Sequence, residues 1–195
     1  MKKKNKKLFR NKSRDIMKIC LYGAGSNNIK SKYIKESYKL GEEIAKRGHS
    51  LVFGGGSTGV MGAVSKGVLD NDGKVLGIAP EWMEEFEGIC RDCDEFIYTE
   101  SMDERKSLFL KHSDAFIIAP GGIGTLDEFF EIIVLKKLNR HNKKIVIFNM
   151  YNFYDPMLEM IDFMIDEGVI RAKRDKNTFK IASSIEKVFE LLEKE

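Results

Sequence analysis

Cysteine is scarce in this chain: 3 residues in 195. An odd and low number, with no secretory apolar region ahead of it, excludes a disulfide-built scaffold and suits a reducing, cytoplasmic setting. Cys90-Arg91-Asp92-Cys93 has C-x-x-C spacing. No second pair and no nearby histidine completes a zinc site, and no helix opens at the pair as a thioredoxin-type motif requires. It reads as a chance pair in a loop, so no metal is expected. Long apolar runs are also missing. Nothing approaches the roughly 18 consecutive apolar residues of a membrane span, so no membrane partner is expected. Internal repeats and low-complexity linkers are absent as well.

Nor is the charge one-sided, with 33 basic against 30 acidic residues and a net charge of +3. The excess is local. Residues 1–14 hold six Lys, two Arg and no acid, which leaves 25 basic against 30 acidic residues in the remainder. The chain therefore divides into a basic, solvated and disordered tail (1–15) and an acidic folded body (16–195). A lysine tail of this kind reads as a solvated end rather than as a nucleic-acid arm.

What the chain does have is alternation. Apolar strand-like runs at 16–23, 50–56, 74–80, 96–100, 114–120 and 144–149 are separated by helical patterns, among them 31–47 (ended by Gly48), 59–71 and 102–112. A helix after Pro156, a short strand in Phe179–Ala182 and a closing helix complete the series. The strands are continuous apolar runs, as in a parallel sheet buried on both faces. Repeated βα units of this length predict a single α/β domain, Rossmann-like and doubly wound, with a mostly parallel sheet.

In such sheets ligands bind beyond the carboxyl ends of the strands. Three glycine-rich turns fall there: Gly23-Ala24-Gly25-Ser26, Gly54 to Gly59, and Pro120-Gly121-Gly122. The first lacks the third glycine of a dinucleotide fingerprint, and the second strand ends in glycines rather than an acid. Gly54 and Gly59 have P-loop spacing, but Val60 stands where the phosphate-binding lysine would be. Pro120 to Thr125 suits a smaller anion. Gly121, Gly122 and Gly124 allow close backbone approach, and the helix after Thr125 offers its N–H groups to one phosphate.

Two side chains near these turns raise a choice. Glu128 follows Thr125 as in a T-x-x-E capping box, so it would serve its own helix start or face a ligand. The apolar run after it predicts a helix buried on more than one side, as at a subunit interface. Ser101 and Glu104 form another capping box, one helix earlier. Arg105 shares a face with Met102, Leu108 and Phe109, opposite Asp103, Glu104, Ser107 and Lys111, and a cation on an apolar face calls for an anionic partner.

With Gly54 to Val64, Ser101 to Lys106 and Pro120 to Glu128 in this order, residues 17–170 resemble the Lonely Guy family, the cytokinin riboside 5′-monophosphate phosphoribohydrolases, many of which carry the label "lysine decarboxylase-like". The resemblance implies a Rossmann-like homodimer without an organic cofactor. It implies cleavage of the N-glycosidic bond of AMP or an N6-substituted AMP, a small nucleoside monophosphate, to free base and ribose 5-phosphate. The family's catalytic arginine and glutamate fall on Arg105 and Glu128. Its nucleotide-binding positions fall on Lys106, Gly121, Gly122, Ile123, Gly124 and Thr125. Asp103 stands where the family usually has histidine, and Val134-Leu135 where it often has Thr-Trp, positions that neighbour the base. Other relatives with the same glycine turn are molybdenum-cofactor carriers, so a non-catalytic carrier is the alternative. Lysine decarboxylation rests on the label alone.

Overall fold

The computed structural model describes residues 15–86, 88–171 and 177–194, so the basic segment 1–14 and the disorder expected of it lie outside the described residues. Seven strands run β1 (Lys18–Tyr22), β2 (Ser50–Phe53), β3 (Val75–Pro80), β4 (Glu95–Thr99), β5 (Ala115–Ile118), β6 (Lys144–Phe148) and β7 (Lys180–Ala182). The helices are α1 (Ser31–Lys46), α2 (Gly59–Leu69), α3 (Met102–His112), α4 (Ile123–Lys137), α5 (Asp155–Asp166) and α6 (Ile185–Glu193). Every strand pairing is parallel, in the order β4-β3-β2-β1-β5-β6-β7.

The continuous apolar runs are explained by burial on both faces. Ile19 and Leu21 of β1 point to a core closed by α1, α2 and α6. Cys20 and Tyr22, one residue out of phase, point to a second core closed by α3, α4 and α5. Helix α1 turns Tyr33, Leu40 and Ile44 inward at the spacing of one helical stripe. Its C-terminal corner is pinned by Arg47, which lies 3.0 Å from Glu193 at the end of α6. No helix among the described residues is long and apolar enough to cross a membrane.

The order of strands reverses between β1 and β5, which makes their carboxyl ends the topological switch point. There Ala119 N donates to Tyr22 O at 2.8 Å and Ala24 N donates to Pro120 O at 3.0 Å, joining the first and third glycine turns. All three turns leave the same edge of the sheet, as their place after β1, β2 and β5 requires.

One expectation needs correction. Helix α4 opens at Ile123, two residues before Thr125, with Gly122 as its N-cap. Within the single chain α4 is covered on one side. Phe129 and Ile132 enter the core, while Ile123, Val134 and Leu138 remain exposed, because the sheet and its flanking helices cover one side only.

Candidate active site

Helix α3 places the arginine. Ser101 caps it by accepting from Glu104 N at 3.1 Å, and the Glu104 carboxylate accepts from Glu100 N at 2.8 Å, one residue before the position of a standard capping box. Arg105, in the first turn, is buried with Phe109, while Asp103, Glu104, Ser107 and Lys111 face solvent. Arg105 Nε donates to Ile78 O at 3.1 Å, beyond the middle of β3, and the guanidinium lies 5.0 Å above the Phe109 ring. A Cβ at position 54 would overlap Arg105 Nη2, so glycine just after β2 leaves the guanidinium its place.

Its anionic partner is Glu128. Arg105 Nη1 lies 3.4 Å from Glu128 Oε1, with side-chain exposures of 5% and 11%. That separation exceeds the ~2.7–2.9 Å of a tight charge-assisted hydrogen bond, so the groups face each other without forming a close fork. The charge of Glu128 also reaches β1. Burial first, then the Glu128 carboxylate, push the Cys20 thiol up, and both effects also raise the Tyr22 phenol. The capping box read at Thr125 does not form: Thr125 lies inside α4, whose N-cap is Gly122.

The glycine turn is anchored from below. Tyr154 OH donates to Ala119 O at 2.7 Å, and burial pushes this phenol up, keeping it a donor. Gly121 is required because a Cβ there would overlap the buried Thr125 hydroxyl. Gly122 and Gly124 are different. Neither has positive φ, and a Cβ at either would meet nothing within 4 Å. The chain's own packing gives no reason for glycine at these two positions, which open the helix. Intrahelical bonding begins at Leu126 N, which donates to Gly122 O at 3.0 Å, so the N–H groups of Ile123, Gly124 and Thr125 precede the ladder.

The other glycine-led helix start is already used by the chain. Gly59 N donates to Asn27 Oδ1 at 3.2 Å, Met61 N donates to Ala24 O at 3.1 Å, and Thr58 Oγ1 donates to Gly25 O. This argues further against a P-loop at Gly54 to Gly59.

Lys106 sits between α3 and α4. Its ammonium lies 2.6 Å from Glu131 Oε2 and 3.4 Å from Asp127 Oδ2, and the Glu131 hydrogen bond raises its pKa. Sequence reasoning missed these two acids, though their spacing of four along α4 puts them on one face. Asp103 is exposed on α3, and Val134 is exposed two turns beyond Glu128 on α4.

An open parallel α/β sheet with glycine turns gathered at its switch point defines a Rossmann-like domain. The family model described as "Possible lysine decarboxylase" matches residues 61–192. The chain is 39% identical over 153 residues to a cytokinin riboside 5′-monophosphate phosphoribohydrolase of Oryza sativa subsp. japonica, which covers 78% of this chain and 63% of that protein. This chain thus spans a little under two thirds of the rice protein's length. A protein of the same name from Arabidopsis thaliana is 39% identical, over 78% of this chain and 71% of its own. The chain therefore belongs to the Lonely Guy family. Among solved structures, a molybdenum cofactor binding protein from Rippkaea orientalis superposes with a TM-score of 0.68 at 27% identity, over 91% of this chain and 95% of that one. A molybdenum cofactor carrier protein from Chlamydomonas reinhardtii, at 23% identity and TM-score 0.66 over 92% of this chain and 100% of that one, shares the fold.

Proposed function

We propose that the protein is a nucleoside 5′-monophosphate phosphoribohydrolase, cleaving the N-glycosidic bond of AMP or an N6-substituted AMP to free base and ribose 5-phosphate. The observation that carries this reading is the buried contact between Arg105 and Glu128 beside the opening of α4. Gly122 and Gly124 support it, since an approaching ligand explains two glycines that the packing does not. The phosphate docks on the N–H groups of Ile123, Gly124 and Thr125, where the helix dipole favours an anion. Glu128, one turn further along α4, then meets the ribose. The bond breaks through an oxocarbenium-like state, and a fixed carboxylate stabilises the positive charge that develops on the sugar and orients the attacking water. Arg105, held by Ile78 O and the Phe109 ring, positions that carboxylate and assists departure of the base. Lys106 adds a cation beside the phosphate.

The names borne by the rice and Arabidopsis relatives agree with this chemistry. Decarboxylation through a lysine Schiff base needs an ammonium with a lowered pKa. Lys106, the lysine next to this site, is instead paired with two carboxylates and raised. A carrier role draws on the likeness to the Rippkaea protein, but carriage alone does not account for an arginine and a glutamate buried against each other. The working unit in this reading is a cytoplasmic homodimer. Support for the dimer comes from Ile123, which is 89% exposed, and from Val134 and Leu138 further along α4. Incubation with AMP and with N6-isopentenyl-AMP, followed by chromatography of the products, tests the reading. Free base and ribose 5-phosphate are expected from at least one substrate, and an inert protein that binds a pterin cofactor tightly would replace it with the carrier reading.

A further inference from the structure

The C-x-x-C segment, expected to be a chance pair in a loop, lies against the glycine turn that backs Arg105. Ile89 pairs with Gly56 in an antiparallel bridge. Cys90 N donates to Gly55 O at 2.8 Å, and Ser57 N donates to Gly88 O at 2.7 Å. Gly54, next along the chain, is the residue against which Arg105 Nη2 packs. Main-chain hydrogen bonds thus connect the cysteine segment to the floor beneath the guanidinium.

The two cysteines stand at the ends of one turn. Arg91 and Asp92 form a turn with Cys90 and Cys93 at its ends. Turn ends lie within about 7 Å between Cα atoms, close to the ~4.4–6.8 Å that a disulfide spans. Both thiols are free. The neighbouring Cys93 thiol, the Asp92 N–H and the Ser65 hydroxyl hold Cys90 below the ordinary thiol range against its burial, and the same proximity, with burial, pushes Cys93 up. Cys90 is thus placed as the attacking sulfur and Cys93, at the other end of the turn, as the resolving one. Cys90 also lines an open cavity of about 570 Å³ with Ser57, Ser65 and Lys66, large enough to admit a small disulfide.

We propose that Cys90 and Cys93 form a reversible modification site for low-molecular-weight disulfides such as oxidised glutathione, and that its closure loosens the Gly54–Ser57 turn beneath Arg105. The Cys90 thiolate attacks one sulfur of the small disulfide, forming a mixed disulfide and expelling a thiolate. Cys93 gives up its proton to that thiolate and attacks the Cys90 sulfur, expelling the second. Two protein thiols lose two electrons, and one disulfide becomes two thiols. Closing the bond draws the turn ends together, so the segment shifts on the glycine turn it is bonded to.

The test combines intact mass, alkylation mapping and hydrogen exchange on the full chain, in oxidised against reduced glutathione. Wild type should lose two hydrogens and two alkylatable thiols while Cys20 stays reactive only after unfolding. Cys93→Ser should instead gain one glutathionyl group at Cys90, and Cys90→Ser should gain none. Amides of Gly55 to Ser57 should exchange roughly tenfold faster in the oxidised protein. Absence of the Cys90 adduct in Cys93→Ser, failure of wild type to close, or unchanged exchange at these amides overturns the proposal. These readouts are independent of turnover. A protein inert in both redox forms would count against the phosphoribohydrolase reading and would leave the thiol site to be judged by mass and exchange.

Discussion

The guanidinium of Arg105 occupies the space that a side chain at position 54 would need. Gly54 is therefore part of how the arginine is aimed, although it carries no chemistry of its own. Its backbone is not in the positive-φ region, so alanine crowds only the guanidinium and, at 3.1 Å, Met61 Sδ. Gly54→Ala should keep the fold and lower kcat by about 10²-fold, the usual consequence of displacing an oriented group by about an ångström. Steady-state kinetics beside a thermal melt checks this. An unchanged kcat would mean that Arg105 needs no support from β2.

Glu128→Gln separates the two roles that the sequence left open. Glutamine caps a helix as well as glutamate does, but carries no charge for a cationic sugar. A rate loss of about 10²–10³ is expected, with α4 intact by circular dichroism. A rate within a few-fold of wild type would return Glu128 to a structural role.

Lys106 is shared between its acidic neighbours and the phosphate. Neutralising Glu131, 2.6 Å from its ammonium, frees the lysine and removes a negative charge near an anionic substrate. Glu131→Gln should lower KM for AMP several-fold, and Lys106→Gln should raise it about tenfold, ~1.4 kcal/mol of binding. Stability should change by less than about 1 kcal/mol, because the pair is partly exposed. Parallel KM values for the two variants would contradict this arrangement.

Acid sensitivity should trace in part to His141. Its Nε2 donates to Ile132 O at 2.8 Å and its Nδ1 accepts from Lys143 N at 3.2 Å. Burial, with Lys136 and Lys143 nearby, lowers its pKa against the opposing pull of the Ile132 carbonyl. A histidine depressed in the folded state binds its proton more readily once unfolded. Its contribution is therefore full above the ordinary range near 6.5 and is lost as pH falls through the folded value. The melting temperature of wild type should fall more steeply than that of His141→Gln below about pH 6.5. Superimposed pH profiles would refute the assignment.

The parallel sheet was legible because both of its faces are buried and its strands read as unbroken apolar runs. Ser101 and Glu104 were legible because their bonds are local. The helical face of Arg105 announced an anionic partner, but which acid answered was a matter of how α3 meets α4, and no periodicity within either helix contains that. The start of α4 was misplaced because Gly122 caps through its backbone and leaves no side-chain signal, while Thr125 imitates a cap. The apolar run of α4 announced more than one buried side, but composition does not say whether the chain itself or another surface covers each of them. The contact between Cys90 and Gly55 depends on a loop folding back across β2, which the linear sequence does not display.

A crystal structure of the Glu128→Gln variant with AMP tests the central claim most directly. Phosphate oxygens within about 2.7–3.2 Å of the Gly124 and Thr125 amides, with the anomeric carbon of the ribose turned toward residue 128, are predicted. A phosphate bound away from the opening of α4, or a ribose directed away from residue 128, would contradict it.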